Sequence, residues 1–344
     1  MELGLYKLTV GFDNSISVQE VQEYSKLAEQ VGLNRFWLSE IYHQRSSTLL
    51  AANLSNSTKK IDIGMCVLSP YSRHPALLAM EAATLDEMLG GRLVLGLGAS
   101  KAFMARHGIN MKTAKPAQAI RECVNIIRSM LSGQVTVHSG EVYNIPVPGI
   151  TLGFKPRRRS IPIYIGAAGP VLLQVTGEVA DGAILPVMTS PKFVEYAMTR
   201  IKNGAKLAGR RLDQIDLASI IIFSVARDQR TAYDAVRGSV AWYVSRVEPI
   251  VTEIAGIGKS EVDSIKSTLK ADSTAKITDL ITDELVEKAS ISGTPERCAE
   301  RLRELIDAGL NDLIAYQVIG PDRPWSIRSI ATDVSPMLEK MLRR

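Results

Sequence analysis

Cysteine, long apolar runs and the familiar catalytic signatures are scarce or missing in this chain of 344 residues. Its three cysteines, Cys66, Cys123 and Cys298, have no paired or metal-like spacing, which excludes a disulfide framework and fits a reducing compartment. No run approaches the roughly 18 apolar residues of a membrane span, and Met1-Glu2-Leu3-Gly4 lacks the basic and apolar regions of a signal peptide. A cytoplasmic chain with no membrane partner is expected. There is no nucleophile elbow, His-Glu-x-x-His, Walker loop or Cys-x-x-Cys, so hydrolase, zinc-enzyme and nucleoside-triphosphatase readings lose their usual support, and no metal site is expected. A dinucleotide-binding fold would need Gly-x-Gly-x-x-Gly after the first strand. Gly11-Phe12-Asp13-Asn14 does not supply it, and Gly96-x-Gly98 alone is weak.

What is present is an ordinary globular composition, 46% hydrophobic and 22% charged, with ample apolar side chains for a core. A net charge of +5 would suggest nucleic acid only if the charge gathered on one face. The only tight basic cluster, Lys155-Pro156-Arg157-Arg158-Arg159, lies in a loop-like segment and reads as a solvated or anion-steering loop. No nucleic-acid partner is expected.

The stretch from Ile61 to Ser100 sets the grammar of the chain. It reads as a buried strand (Ile61 to Leu68), a polar turn, a helix opening at Pro75, a Gly90-Gly91 stop, and a second strand (Arg92 to Leu97) running into Gly98-Ala99-Ser100. Earlier, Leu3 to Val10 reads as a first strand, Ser17 and Glu20 as a capping box, and Phe36-Trp37-Leu38 as a second strand ending at Ser39 and Glu40. Later come a hairpin around Val135 to Tyr143, strands at Ile161 to Ile165, Ala183 to Leu185, Leu217 to Val225 and Asp312 to Tyr316, and a helix capped by Thr294-Pro295-Glu296. Eight strand-helix units in alternation make an α/β fold, a (β/α)8 TIM barrel with insertion segments, the first choice over a doubly wound sheet. One domain spanning 1–344 is expected, with an insertion at roughly 229–285 that covers the site or an assembly face.

In such a barrel, residues that directly follow strands converge on one catalytic face. Glu40 is one. The turns Gly98-Ala99-Ser100 and Gly166-Ala167-Ala168-Gly169 are others; small residues there leave backbone N–H groups free for a phosphate or the polar edge of a planar ring, or simply permit tight strand-helix packing. Two such turns together favour a cofactor. Trp37 reads as core, Cys66 as a small buried residue, His74 as a helix cap, His43 as a surface residue, and Arg45 and Lys101 as anion contacts rather than catalysts.

These residues resemble a known family along nearly the whole chain. Ile61-Asp62-Ile63-Gly64, Leu68-Ser69-Pro70-Tyr71-Ser72-Arg73-His74-Pro75, Ala83-Thr84-Leu85-Asp86-Glu87 and Gly91-Arg92 with Leu95-Gly96-Leu97-Gly98 are similar to the bacterial luciferase-like superfamily. Within it, Pro162 to Pro170, Ala180-Asp181-Gly182-Ala183, Ser292-Gly293-Thr294-Pro295-Glu296 and Ile319-Gly320-Pro321-Asp322 most resemble the methylene-tetrahydromethanopterin reductases. The resemblance implies hydride exchange between the deazaflavin coenzyme F420 and a pterin-like small-molecule substrate, in a homodimer or homotetramer. It also implies a non-prolyl cis peptide on a strand-three bulge at Cys66-Val67, bracing the ring, with Glu40 and both small-residue turns around the cofactor.

Three departures from that pattern stand out. Glu40-Ile41 replaces an Asp-His pair, Tyr6 stands where an acidic residue is expected on strand one, and the turn after strand four is shortened to Gly98-Ala99-Ser100-Lys101. Glu40 and Tyr6 are the catalytic candidates, with Tyr42 a further proton donor. The alternatives are an FMN-dependent monooxygenase of the same superfamily and a non-catalytic flavin-binding barrel.

Overall fold

The structure, a computed structural model, describes residues 6–271, 279–317, 320 and 322–343. Eleven strands occur among them: β1 (Lys7–Asp13), β2 (Arg35–Ser39), β3 (Asp62–Met65), β4 (Leu93–Gly98), β5 (Thr136–Ser139), β6 (Asn144–Ile150), β7 (Ile163–Gly166), β8 (Gly182–Leu185), β9 (Asp216–Val225), β10 (Ile291–Gly293) and β11 (Asp312–Tyr316). The main sheet runs β9-β11-β1-β2-β3-β4-β7-β8, all parallel, and pairing of β8 back onto β9 closes it into the expected barrel. The short β10, which the sequence pattern hides in a Ser-Gly-Thr-Pro turn, extends the C-terminal end of β9.

The expected helices form for the expected local reasons. Ser17 and Glu20 make their capping box on helix Val18–Gln30, the His74 imidazole accepts from the Ala76 N–H at the start of helix Pro75–Met88, and Thr294 caps helix Pro295–Asp307. The hairpin of β5 and β6 is longer than the Val135-to-Tyr143 pattern, because its return strand reaches Ile150. Within 229–285, helix Gln229–Val244 packs on β9 and β10 in the outer ring, followed by helices Pro249–Ile254 and Lys259–Lys270. Residues 272–278 lie outside the described residues, as do Ile319 and Pro321 of the quoted C-terminal motif.

Inside the ring the side chains stack in layers, as a strand's two-residue period requires. At the N-terminal mouth the buried Arg35 guanidinium donates to Asp312 at 2.7 Å, and Thr9 donates to the same carboxylate at 2.9 Å. Above them Trp37 and Tyr164 meet with ring centroids 5.8 Å apart, packed with Val94, Ile184, Ala218 and Ile314. Gly64 on β3 gives Trp37 its place, since a Cβ there would overlap the indole. Trp37 is fully buried, as a core residue should be.

Strand β1 corrects the sequence reading. It begins at Lys7 and runs through Gly11 to Asp13, so residues taken for the first turn are the C-terminal half of the strand, and Leu3 to Leu5 lie outside the described residues. Gly11 reads as a stop in isolation. In the barrel it fills an interior position beside Ile314, Tyr316 and Trp37, where only a small residue fits.

In the basic cluster Lys155, Arg157 and Arg159 are exposed, in keeping with a solvated loop, and Arg158 alone departs from that reading. Arg158 is bound to the buried Asp86 by two bonds of 3.0 and 2.5 Å and donates to the Leu93 carbonyl at 2.7 Å, so it cross-links the barrel rather than steering anions.

Candidate active site

At the C-terminal mouth β3 ends at Met65, and the chain then makes a cis peptide at Cys66-Val67 before Leu68 rejoins β4 beside Leu97. The bulge turns Val67 toward the turns after β4 and β7. A Cβ on Gly98 would overlap the Val67 isopropyl group, and one on Gly166 would approach it to 3.1 Å. Both positions are small because Val67 occupies the space. Gly169, by contrast, has open space around it and starts helix Pro170–Val179.

The bulge and the two turns frame one cleft of about 590 Å³, within the range of small-molecule sites. Cys66, Val67, Gly98, Ala99, Ser100, Gly166, Ala167, Ala168 and Gly169 all border it, with Ile184, Pro186 and Ile220 from the next strands. Ser100, at φ 47°, turns the chain into helix Lys101–Arg106. Lys101 reaches across to Glu248 at 3.3 Å, in the segment after helix Gln229–Val244, so part of the 229–285 stretch does wall the cleft. A second cavity of about 810 Å³ adjoins it, sharing Ala102, Phe103, Arg246 and Val247, and is bordered further by Tyr42, His43, Tyr243 and Tyr316.

The two catalytic candidates fare differently from the turns. Tyr6 precedes β1 at the N-terminal mouth, beside Ser335 and Glu339 of the C-terminal helix Ser335–Leu342, at the opposite end of the barrel from the cleft. It cannot reach the site. The strand begins four residues and ends three residues later than the sequence pattern suggests, which leaves Tyr6 before it instead of within it. Glu40 is on the correct face, but its carboxylate is held by Arg73 at 2.6 Å and by the Ser47 hydroxyl, and it borders neither cavity. It ties the loop after β2 to the loop after β3. Arg45 donates to the Ser15 carbonyl at 2.6 Å rather than to an anion site, and His43 meets His107 with ring nitrogens 2.9 Å apart.

Sequence reading places Cys66 at the site but misses the polar layer around it that caps the barrel interior. Asp13, Ser39, Cys66 and Tyr316 end β1, β2, the β3 bulge and β11 and are buried. Ser39 and Cys66 touch at 3.2 Å, while Asp13 accepts from the Ser15 N–H at 2.9 Å and from the Gln317 amide. Burial pushes the Cys66 thiol up to about 12, so it stays a neutral thiol. The available signal was Asp13 itself, a carboxylate at a strand end once β1 is placed correctly.

The luciferase-like monooxygenase family description matches residues 1–312. The chain belongs to that family. Among relatives of this luciferase-like chain is a 5,10-methylenetetrahydromethanopterin reductase of Archaeoglobus fulgidus, 36% identical over 97% of this chain and 100% of the relative. The solved structure of a coenzyme F420 dependent tetrahydromethanopterin reductase from Methanopyrus kandleri superposes with a TM-score of 0.91 at 28% identity, over 97% of this chain and 99% of that one. The oxygenating constituent of 3,6-diketocamphane monooxygenase from Pseudomonas putida, in complex with FMN, shares the fold alone, with a TM-score of 0.70 at 18% identity over 96% and 98%.

A deazaflavin fits the cleft on its own terms. The Val67 bulge offers an apolar shelf for a planar ring, and the open turn at Gly169 with the N-terminus of helix Pro170–Val179 offers backbone donors for a phosphate.

Proposed function

We propose that this chain transfers a hydride between coenzyme F420 and a methylene-bearing pterin, as a methylenetetrahydromethanopterin reductase does. The observation that carries the reading is similarity to such reductases along the whole chain, whereas the flavin monooxygenase shares only the barrel. Cys66, Val67, Gly98, Ala99, Ser100 and Gly166 to Gly169 would hold the cofactor, which when bound supplies the hydride. The adjoining cavity gives a substrate room beside it, which supports turnover over a merely flavin-binding barrel.

The protein's own contribution is orientation and exclusion of water. The cleft is lined mostly by apolar side chains, which orient a ring and disfavour water against it, and the Lys101–Glu248 pair stands among them. Glu40, fixed by Arg73, acts as a brace between two rim loops. The free, buried thiols support a reducing compartment, and a homodimer or homotetramer is the assembly we favour. No helix among the described residues is long and apolar enough to cross a membrane.

The test is calorimetric titration with oxidised F420 and with FMN, followed by mixing with reduced F420 and methylenetetrahydromethanopterin. Tighter binding of F420 and oxidation of the cofactor on adding the pterin are expected. FMN bound as well or better would move the assignment to the monooxygenase.

A further inference from the structure

Tyr316 is the one member of the polar layer that borders the second cavity; Cys66 borders the first, and Asp13 and Ser39 border neither. Asp312, Ile314 and Tyr316 share the interior face of β11, so the phenol rises directly above the packed layers. Its ring fits because its register partner on β1 is Gly11, where a Cβ would stand 3.1 Å from it. Tyr243 descends from helix Gln229–Val244 on the other side, its ring 6.3 Å from that of Tyr316. Burial holds both phenols well above the usual tyrosine range, so both keep their protons at neutral pH. Behind them Gln317 donates its side-chain amide to Asp13 and its backbone N–H to the Gly11 carbonyl at 2.6 Å, locking the end of β11 against β1.

We propose that Tyr316 is the fixed hydrogen-bond donor to the substrate in the second cavity, with Tyr243, Asp13 and Gln317 as positioning residues. The assignment rests on the reductase reading above. Reducing a methylene bridge between two amine nitrogens to a methyl group forms one C–H bond with the incoming hydride and breaks one C–N bond. The electron pair of the broken bond stays on nitrogen, which takes up the proton that reduced F420 releases along with its hydride. A phenol aimed at that nitrogen stabilises the pair as it develops, and gives up no proton itself. Asp13 is already engaged by Ser15 and Gln317, and the Cys66 thiol faces Ser39, so neither competes for the role.

Tyr316→Phe keeps the ring and removes only the hydroxyl. In the full chain, kcat/KM for methylenetetrahydromethanopterin with reduced F420 should fall about 100-fold, while F420 affinity by titration stays within about twofold and the melting temperature is unchanged. Gly11→Ala, which presses on the ring, should lose rate in the same direction. A Tyr316→Phe protein within about threefold of wild-type kcat/KM overturns the proposal. So does one whose F420 affinity falls in step with its rate, because the hydroxyl then serves the cofactor cleft. A wild-type chain that binds F420 yet leaves the pterin unreduced sinks the reductase reading, and this assignment with it. The wild-type control thus separates the two failures.

Discussion

Glu122 illustrates how one buried residue can serve a site it never touches. It is 2% exposed, and its carboxylate accepts from the backbone N–H groups of Glu141, Val142 and Tyr143 at 2.8, 3.1 and 2.8 Å and from the Gln118 amide at 2.8 Å. That clamps the β5–β6 turn, and from it the Tyr143 hydroxyl donates to the Pro70 carbonyl at 3.0 Å, in the loop that follows the Val67 bulge. Burial alone would raise the carboxyl's pKa; the donors prevail and hold it at about 2. A depressed pKa contributes stability that is fully present above the ordinary carboxylate value of about 4.3 and is lost as pH falls from there through about 2. Glu122→Gln should therefore cost roughly 3 kcal/mol at pH 7, with the difference from wild type closing toward pH 2. Urea unfolding across that pH range checks it, and a gap independent of pH would count against the clamp.

At the scale of elements, the cleft is made by turns rather than by charged side chains. The strand-helix turn from Gly166 to Gly169 brings its backbone to the cleft because its side chains are absent or a single methyl. Ala168 is half-buried there and lines the cleft. Ala168→Phe places a large ring in the cleft while the barrel layers beneath, built from Trp37, Tyr164 and Ile314, stay intact. Cofactor binding should fall by at least about 100-fold, with the circular dichroism and melting curve near wild type. Undiminished F420 binding would place the cofactor elsewhere.

For the whole molecule, the distribution of apolar surface suggests how copies meet. On helix Pro75–Met88, Leu77, Met80 and Met88 lie on one face and are 50, 44 and 48% exposed, next to Leu49 on the neighbouring helix Ser47–Ser57, 72% exposed. Exposed apolar side chains on two adjacent helices favour a two-fold interface, in which each patch covers its own copy. Light scattering at micromolar concentration should give a dimer or a multiple of one for the wild type. Leu77→Glu combined with Met80→Glu should give monomers that keep the fold; a monomeric wild type would end the expectation.

Periodicity, caps and turn residues act over a few neighbours, so the sequence by itself determined the alternating strands and helices, the barrel they imply, and the small-residue turns at the strand ends. The family resemblance added the bulge at Cys66-Val67. Tertiary structure decided what no local pattern encodes. Gly11 looks like a turn until Trp37 and Tyr316 are seen to fill the space beside it, and placing β1 correctly exchanges Tyr6 for Asp13 at the catalytic mouth. Glu40 looks free until barrel closure brings up Arg73, 33 residues away, and Arg158 looks like a loop cation until it meets Asp86, 72 residues away. Tyr316 and Tyr243 come together only because β11 rises beneath the helix that follows β9. A side chain's partner across such distances is set by closure of the ring and by the interior volume left to fill, and neither quantity is local to any stretch of the chain.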